Sequence, residues 1–403
     1  MNILVVNAGS SSMKYQLISS ESGDVLAKGL CERIGIDGRI EHKVPGREPY
    51  AIEVAMPNHT VAVRLLIDVL TDKIHGCIES MKDISAIGHR VVHGGPYFTE
   101  SVLVTDDVIS NLELCRDLAP LHTGPALMGI NGCMEAAPDV PQVLVFDTAF
   151  HQTMPKVAYT YAVDKKLAEK YHIRRYGFHG TSHRYVAGEM LKQMDKPVEE
   201  TKIITCHLGT GSSIAAVKAG KVIDTTMGFT PLDGLLMGTR SGTIDPAIVP
   251  FLMEKEGWSA QQANQYLNKN CGLLGVSGVS SDCRDISAAA DNGDVDAKLA
   301  LDLLAYQIKK FIGAYAAAMG GLDAIVFTAG LGENQASLRE DCLKGLEFLG
   351  IDFDVNANNN VKKPAGATCL SKLSSKVQVY MIPTNEELGI AKDTAEIVEK
   401  LAK

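Results

Sequence analysis

Several familiar signatures are missing from this chain, and each absence narrows what it does. No C-x-x-C pair occurs among the nine cysteines, which sit at irregular spacings at positions 31, 77, 115, 133, 206, 271, 283, 342 and 369. An odd, unpatterned set argues against a disulfide framework and fits a reduced, cytoplasmic setting. The spacing G-x-G-x-x-G is absent, so a dinucleotide fingerprint is not supported. G-x-x-x-x-G-K-[ST] is absent too, which excludes a P-loop nucleoside triphosphatase. No uncharged apolar run reaches the length of about 18 residues needed to span a bilayer. The nearest candidate, residues 313–326, is interrupted by Gly320-Gly321 and Asp323. No basic segment precedes an apolar one at the start, so no signal peptide is expected. There is no low-complexity segment and no basic run, and the net charge is −9. Nucleic acid and anionic membranes are therefore disfavoured as partners. Cations for an anionic ligand must be local to a cleft.

What is present is an ordinary globular composition, 46% apolar and 22% charged. At 403 residues the chain is too long for one core, so two domains are expected. One pattern occurs twice. Ile3-Leu4-Val5-Val6 runs into Asn7-Ala8-Gly9-Ser10-Ser11-Ser12, and apolar residues resume at Tyr15. Much later, Ile203-Ile204-Thr205-Cys206 runs into His207-Leu208-Gly209-Thr210-Gly211-Ser212-Ser213, then Ile214. Both read as strand, tight Gly/Ser turn, strand. Glycine lets the backbone approach a ligand, and successive N–H groups in such a turn form an anion nest. Two matching hairpins suggest a duplicated domain whose halves face each other across a polyphosphate; two ordinary hairpins are the plainer alternative.

Strand–helix alternation through the rest argues an α/β architecture. Strands are expected at 84–92, 143–146, 323–328 and 377–382. Helices are expected at 106–118, 126–137, 294–319 and 385–401, the third on its helical apolar period. The strand at 323–328 should break at Gly330-Leu331-Gly332-Glu333-Asn334. Ser337 with Glu340 reads as a capping box opening a helix to residue 349. Pro155 and its polar surroundings make a hinge near 150.

Certain segments place Arg, His or Asp in Gly turns or at strand ends, where scaffolds display functional side chains. They are Gly88-His89-Arg90-Val91-Val92-His93-Gly94-Gly95, Pro120-Leu121-His122, Phe146-Asp147-Thr148, Tyr176-Gly177-Phe178-His179-Gly180-Thr181-Ser182-His183 and Met237-Gly238-Thr239-Arg240-Ser241-Gly242. Phosphoryl transfer requires cations around the moving group, Mg²⁺ bridging phosphates, and substrates held in line. Arg90 and Arg240 suit carboxylate or phosphate through the planar guanidinium. His122, His179 and His207 can donate to phosphoryl oxygens. Asn7, Asp147 and Glu386 offer oxygens suited to Mg²⁺, mostly through water. Taken singly, each has a plain structural explanation: a surface ion pair, a satisfied histidine, a helix cap. His179 and His183, four apart, lack the neighbours of a zinc site.

Together with Asn7 to Lys14, Gly330 to Asn334 and Pro383-Thr384-Asn385-Glu386-Glu387, these segments make the chain resemble the acetate kinase family of acyl-phosphate-forming kinases over essentially its whole length. The resemblance implies the duplicated, two-domain α/β fold shared with actin and the hexokinases (ribonuclease H-like), with a cleft between the domains. The first domain would be 1–149 completed by 386–403, the second 150–385. It implies a phosphotransferase with a carboxyl acceptor: Mg-ATP plus acetate giving ADP and acetyl phosphate, reversibly and in line. Mn²⁺ is a possible substitute for Mg²⁺. A homodimer through the second domain is implied, with helix 294–319 compatible.

Carried over by position, Asn7 and Glu386 belong to the metal site, and Lys14, Ser10 and Ser12 to the phosphate region. Arg90 binds the acetate carboxylate. Asp147 is the essential carboxylate, in an orienting or water-mediated role. His179 and Arg240 stabilise the transferring phosphoryl, with His122 nearby. His207, Leu208, Gly209, Thr210 and Gly211 wrap the β- and γ-phosphates. Asp282, Cys283 and Arg284, with Gly330, Leu331, Gly332, Glu333 and Asn334, hold the adenosine. Val92, Leu121, Phe178 and Pro231 form the methyl pocket, where a β-branched Val92 leaves little room beyond acetate.

Three positions depart from the family pattern: Thr210 for the usual Asn, Thr123-Gly124 for Asn-Pro, expected as a more mobile turn, and Thr243 for an acid. They bear on donor preference and rate. A pyrophosphate-linked or propionate-preferring acyl kinase, a sugar kinase, and a non-enzymatic actin-like ATP-binding protein are the competing readings.

Overall fold

Residues 1–361 and 366–401 are described by the structure, a computed structural model of the chain. Both Gly/Ser turns lie between antiparallel strands: β1 (Asn2–Ala8) returns as β2 (Ser12–Ser19), and β9 (Lys202–Leu208) returns as β10 (Ser212–Lys218). The apolar runs entering the turns are continuous because the strands are buried on both faces. In β1, Leu4 and Val6 join one core while Ile3 and Val5 join another. The turns differ by one residue. Ala8 pairs with Met13 in the first, but Leu208 pairs with Ser212 in the second.

The chain divides into two units, Met1–Phe150 with Asn385–Lys403, and His151–Thr384. In the first, β3 (Val25–Glu32), β4 (Arg39–Lys43), β5 (Tyr50–Glu53), β6 (Ala86–Val91), β7 (Val102–Leu103) and β8 (Gln142–Phe146) complete a sheet ordered β5-β4-β3-β2-β1-β6-β8-β7. In the second, β11 (Lys221–Thr225), β12 (Ala324–Thr328), β13 (Thr368–Cys369) and β14 (Gln378–Met381) complete a sheet ordered β11-β10-β9-β12-β14-β13. The central orders are the same. An antiparallel run β3-β2-β1 continues through parallel β6 and β8; an antiparallel run β11-β10-β9 continues through parallel β12 and β14. Each sheet ends in a short antiparallel strand, β7 on β8 and β13 on β14. Two copies of this order make a duplicated α/β architecture.

In the first unit the helices His59–Thr71 and Pro120–Ala136 supply buried residues to one face of the sheet. The last helix, Glu386–Leu401, covers the other with Ile390, Ala391 and Ala395. It packs tightly over Gly88: a Cβ there would lie 2.4 Å from Thr394 Oγ1 and 2.8 Å from Ile390 Cγ2. In the second unit the helix Val295–Met319, capped by Asp294 and Gly320, buries Leu304, Ile308, Ile312 and Met319 in the core, packed on β9 and β10. No helix among the described residues is long and apolar enough to cross a membrane.

Some boundaries differ from expectation for local reasons. The helix expected at 126–137 already begins at Pro120, where a missing N–H costs nothing in the first turn. Leu121, His122, Thr123 and Gly124 are therefore helical, and Thr123-Gly124 is not a mobile turn. The helix expected at 106–118 ends at Leu114. Residues expected to break after β12 form the short helix Ala329–Asn334. The next helix, Ala336–Leu343, follows at once with Gln335 at its cap, so the Ser337/Glu340 box has no free first turn to close. Gly345, at φ 85°, ends it, and only a single turn, Glu347–Leu349, lies beyond.

Gly88→Ala is expected to destabilise the protein by about 1–3 kcal/mol through overpacking under the last helix, read as a lowered urea midpoint. His89 is buried, contacts Gln142 Oε1 at 2.8 Å, and is pushed down to about 4 from 6.5 by burial. The unfolded chain therefore takes this proton first. The penalty is absent above pH 6.5 and grows as pH falls towards 4, at up to about 1.4 kcal/mol per unit and about 3 kcal/mol in all. Comparing urea midpoints of the parent and His89→Gln at pH 7 and 5 should show the variant losing less on acidification.

Candidate active site

Parallel strands β6 and β8 bring two charged residues to one end of the first sheet. Arg90 lies opposite Val145, and Asp147 follows β8, its N–H donating to Val91 O at 2.9 Å. Arg90 Nε and Nη2 donate to Asp147 Oδ1 and Oδ2 at 3.1 and 2.7 Å, a bidentate fork. Asp147 is 1% exposed. Glu386, the first residue of the last helix, places Oε2 3.7 Å from Arg90 Nη2. Two carboxylates thus share one guanidinium. Arg90 is held firmly protonated by Asp147 and then Glu386, against the burial that opposes its charge. Glu386 is pushed up to about 7, first by burial, then by Asp147 and Glu387, although Arg90 pulls the other way. A second cation would relieve that strain on Glu386. No group of three or more His, Cys, Asp or Glu able to cage a metal exists among the described residues. That donor set fits Mg²⁺, which keeps most of its waters and takes one or two carboxylates plus phosphate oxygens. Asn7, half-buried at the end of β1 and paired in register with Lys14, offers a neutral oxygen.

In the second unit the phosphate turn follows β9. Gly209 N–H donates to Gly211 O at 3.2 Å. A Cβ on Gly211 would lie 3.4 Å from His179 Nε2 and 3.5 Å from Arg240 Nη1, so these side chains converge on the turn. His179 holds φ 57° just before the helix Gly180–Leu191, a left-handed position that turns its ring out of the helical path. Its ring stacks on His207, centroids 4.1 Å apart. Arg240 Nη1 donates to Pro231 O at 3.1 Å; burial pulls this guanidinium below its ordinary range.

Beside the turn lies a cavity of about 370 Å³, whose walls include Gly209, Thr210, Asp282, Arg284, Gly330 and Asn334. Cys283 and Leu331 line it as well. The nucleotide residues expected from distant sequence segments thus meet, with exceptions. Gly332 and Glu333 are not among its walls. Glu333 Oε1 accepts from the N–H groups of Ala329 and Thr384 at 2.8 and 3.1 Å, tying the short helix to the segment after β14. Gly332 O accepts from the buried Arg339 at 2.8 Å. Gly238, Leu273, Ser281 and Gln335 line it too and were not legible in the sequence.

The expected methyl-pocket residues divide between the units. Val92 is half-buried in the first, where Leu121 is 79% exposed and His122 is exposed beside it. Phe178 is buried and Pro231 half-buried in the second. Ser10 and Lys14 are exposed along the first turn, Ser12 is half-buried, and Ser12 O accepts from Gly9 N–H at 2.7 Å. Thr243 has a local role. Its hydroxyl donates to Asp233 Oδ1 at 2.6 Å and accepts from Gly234 N–H at 3.0 Å. An acid at this position would face Asp233 with like charge.

A duplicated α/β fold thus carries a glycine turn, Arg and His side chains converging on it and a cavity beside it, and the proteins it resembles are kinases. Residues 2–392 match the acetokinase family. The chain is 57% identical over 401 residues to the acetate kinase of Caldanaerobacter subterraneus subsp. tengcongensis, with 99% of each covered. It is 56% identical over 403 residues to that of Thermoanaerobacterium thermosaccharolyticum, with 100% of each covered. The crystal structure of Porphyromonas gingivalis acetate kinase matches with TM-score 0.95 at 47% identity, covering 98% of this chain and 99% of that one. A propionate kinase from Francisella tularensis matches at 0.89 and 41%, covering 98% and 99%. The chain belongs to the acetokinase family, whose kinases use ATP.

Gly330 has no heavy atom within 4 Å of a built Cβ, so a side chain is tolerated there. Gly330→Phe should intrude on the cavity and weaken ADP binding at least about tenfold, or 1.4 kcal/mol, by calorimetry. Unchanged affinity would remove the cavity as the nucleotide site.

Proposed function

We propose that this chain is an acetate kinase, transferring the γ-phosphoryl of Mg-ATP to acetate to give acetyl phosphate and ADP, reversibly and in line. The observation that carries the reading is the convergence of His179 and Arg240 on Gly211 beside the cavity walled by Asp282, Arg284 and Gly330. The names of the relatives above supply the acceptor.

Acetate is ionised at neutral pH, so its oxygen attacks without a general base. Asp147 is therefore free to orient rather than to take a proton. It engages Nε and Nη2 of Arg90, which leaves Nη1 for the substrate carboxylate. His179 and Arg240 donate to the transferring phosphoryl as charge spreads over its oxygens. His122 assists from the helix Pro120–Ala136. The N–H groups from His207 to Gly211 hold the β- and γ-phosphates, and Ser10, Ser12 and Lys14 serve the first turn. Glu386 and Asn7 would hold Mg²⁺, largely through water, and the ion would supply charge neutralisation at the phosphates. Mn²⁺ meets the same ligand demands. The cavity favours a nucleoside over an inorganic donor.

Val92, Leu121, Phe178 and Pro231 limit the acyl group. One methylene is worth about 1–3 kcal/mol in such a pocket, so acetate is preferred, propionate accepted and butyrate poor. We also assign a homodimer. The helix 294–319 turns its apolar period into its own unit's core. The better surface is the helix Ile248–Glu256, apolar in sequence yet with no buried residue and with Phe251 57% exposed. Nine free thiols suit a reducing cytoplasm.

Hydroxylamine trapping with acetate, propionate or butyrate, each with Mg-ATP or Mg-pyrophosphate, tests the reading. Acetohydroxamate formed with ATP and scaling with protein is expected; product with pyrophosphate alone would overturn the donor, and none at all the function. Val92→Ala should raise the propionate-to-acetate ratio of kcat/KM about tenfold or more. An unchanged ratio would remove Val92 from the pocket.

A further inference from the structure

A chain of hydrogen bonds runs behind His179, and counting protons along it fixes which ring nitrogen of His179 is protonated. Thr205 on β9, His183 on the helix Gly180–Leu191 and Ser213 on β10 are all fully buried. Thr205 Oγ1 lies 2.7 Å from His183 Nδ1; Ser213 Oγ lies 2.7 Å from His183 Nε2 and 2.9 Å from His179 Nδ1.

Among the described residues, His183 Nδ1 is the only partner of Thr205 Oγ1. Burying a hydroxyl proton without an acceptor is costly, and here one acceptor is within reach. Thr205 therefore donates, and His183 Nδ1 accepts. His183 is held neutral, far below the ordinary histidine range, by burial and then by the neighbouring His151 and His207. Its single proton consequently lies on Nε2 and is donated to Ser213. Ser213 has one proton of its own, and its other neighbour is His179 Nδ1. It donates there. The reverse order would leave the Thr205 proton buried with no acceptor, at a cost of about 1–3 kcal/mol.

We propose that the Thr205–His183–Ser213 chain sets the tautomer of His179, fixing its proton on Nε2, the nitrogen that faces Gly211 and the phosphate turn. Thr205, His183 and Ser213 are positioning residues, and His179 is the group they aim. The other neutral tautomer would present a lone pair to the phosphoryl oxygens, which repels where donation is needed. The position 4 residues after His179, with the spacing of half a zinc site, thereby gains a role that needs no metal. The benefit to turnover rests on the phosphoryl-transfer reading above; the tautomer does not.

Long-range ¹H–¹⁵N correlation spectra of the full-length protein labelled on histidine nitrogen test this, with His179 assigned by comparison with His179→Gln. The unaltered protein should show Nε2 of His179 protonated and Nδ1 bare. Thr205→Val keeps the side-chain shape and removes the donated proton, and should give a mixture of tautomers, as should Ser213→Ala. Thr205→Ser keeps the hydroxyl and should restore the parent spectrum. His207 is an internal control, because its Nδ1 is served by Ser182 at 2.8 Å instead. Acetyl phosphate formation by Thr205→Val should fall about tenfold to a hundredfold in kcat, with KM for acetate and ATP within about twofold. A proton on Nδ1 of His179 in the unaltered protein overturns the proposal whether or not any variant folds. So does an unchanged His179 signal in both Thr205→Val and Ser213→Ala. Absence of all acyl kinase activity with the Nε2 tautomer present would instead sink the functional reading and leave this one standing.

Discussion

Burial of the central strands on both faces is the constraint from which the rest follows. β1, β8, β9 and β12 carry largely apolar runs, and β6 beside them is buried almost throughout, because helices cover their sheets. A side chain that must meet water or an anion has no place within such a strand. It can appear only where the strand stops. Arg90, Asp147 and His207 all stand at or just beyond the carboxyl ends of these strands, and the helix Ala329–Asn334 starts at the end of β12. The chemistry is thus collected along one edge of each sheet by the same hydrophobic demand that forms the sheet.

Charge at that edge is balanced differently in the two units. In the first, one guanidinium faces two carboxylates, and the surplus negative charge shows in Glu386, whose proton is retained to about 7. In the second, the groups around Gly211 are donors: an arginine bound to a carbonyl and a sulfur, and two stacked imidazoles. Negative charge is in surplus at the first edge, and hydrogen-bond donors gather at the second.

The duplication was legible from two short stretches, 3–12 and 203–213, each an apolar run that ends in Gly and Ser. The five-strand order shared by the two sheets confirms that both copies build the same core. The site was legible in part. Asp282, Arg284 and Gly330 announced themselves through the family pattern, and they do line one cavity. Glu333 belonged to the same motif, yet its carboxylate caps backbone N–H groups. A motif records that a residue is required, and only the fold says whether it touches a ligand or holds one that does. Thr123-Gly124 shows the same limit locally. Their composition reads as a turn, but Pro120 and the preceding carbonyl of Ala119 start a helix through them.

By itself, then, the sequence determined the strand runs, the glycine turns, the long helix 295–319 and the types of side chain available to an anion, because each depends on neighbours in the chain. Tertiary structure decided the rest. It placed Arg90 against Asp147, 57 residues apart, brought the helix at 386 back onto the first sheet, and buried Arg339 among carbonyls. It also set Ser213 between two histidines 30 and 34 residues away. Hydrogen-bond direction and burial are properties of the assembled neighbourhood, and no local pattern encodes them.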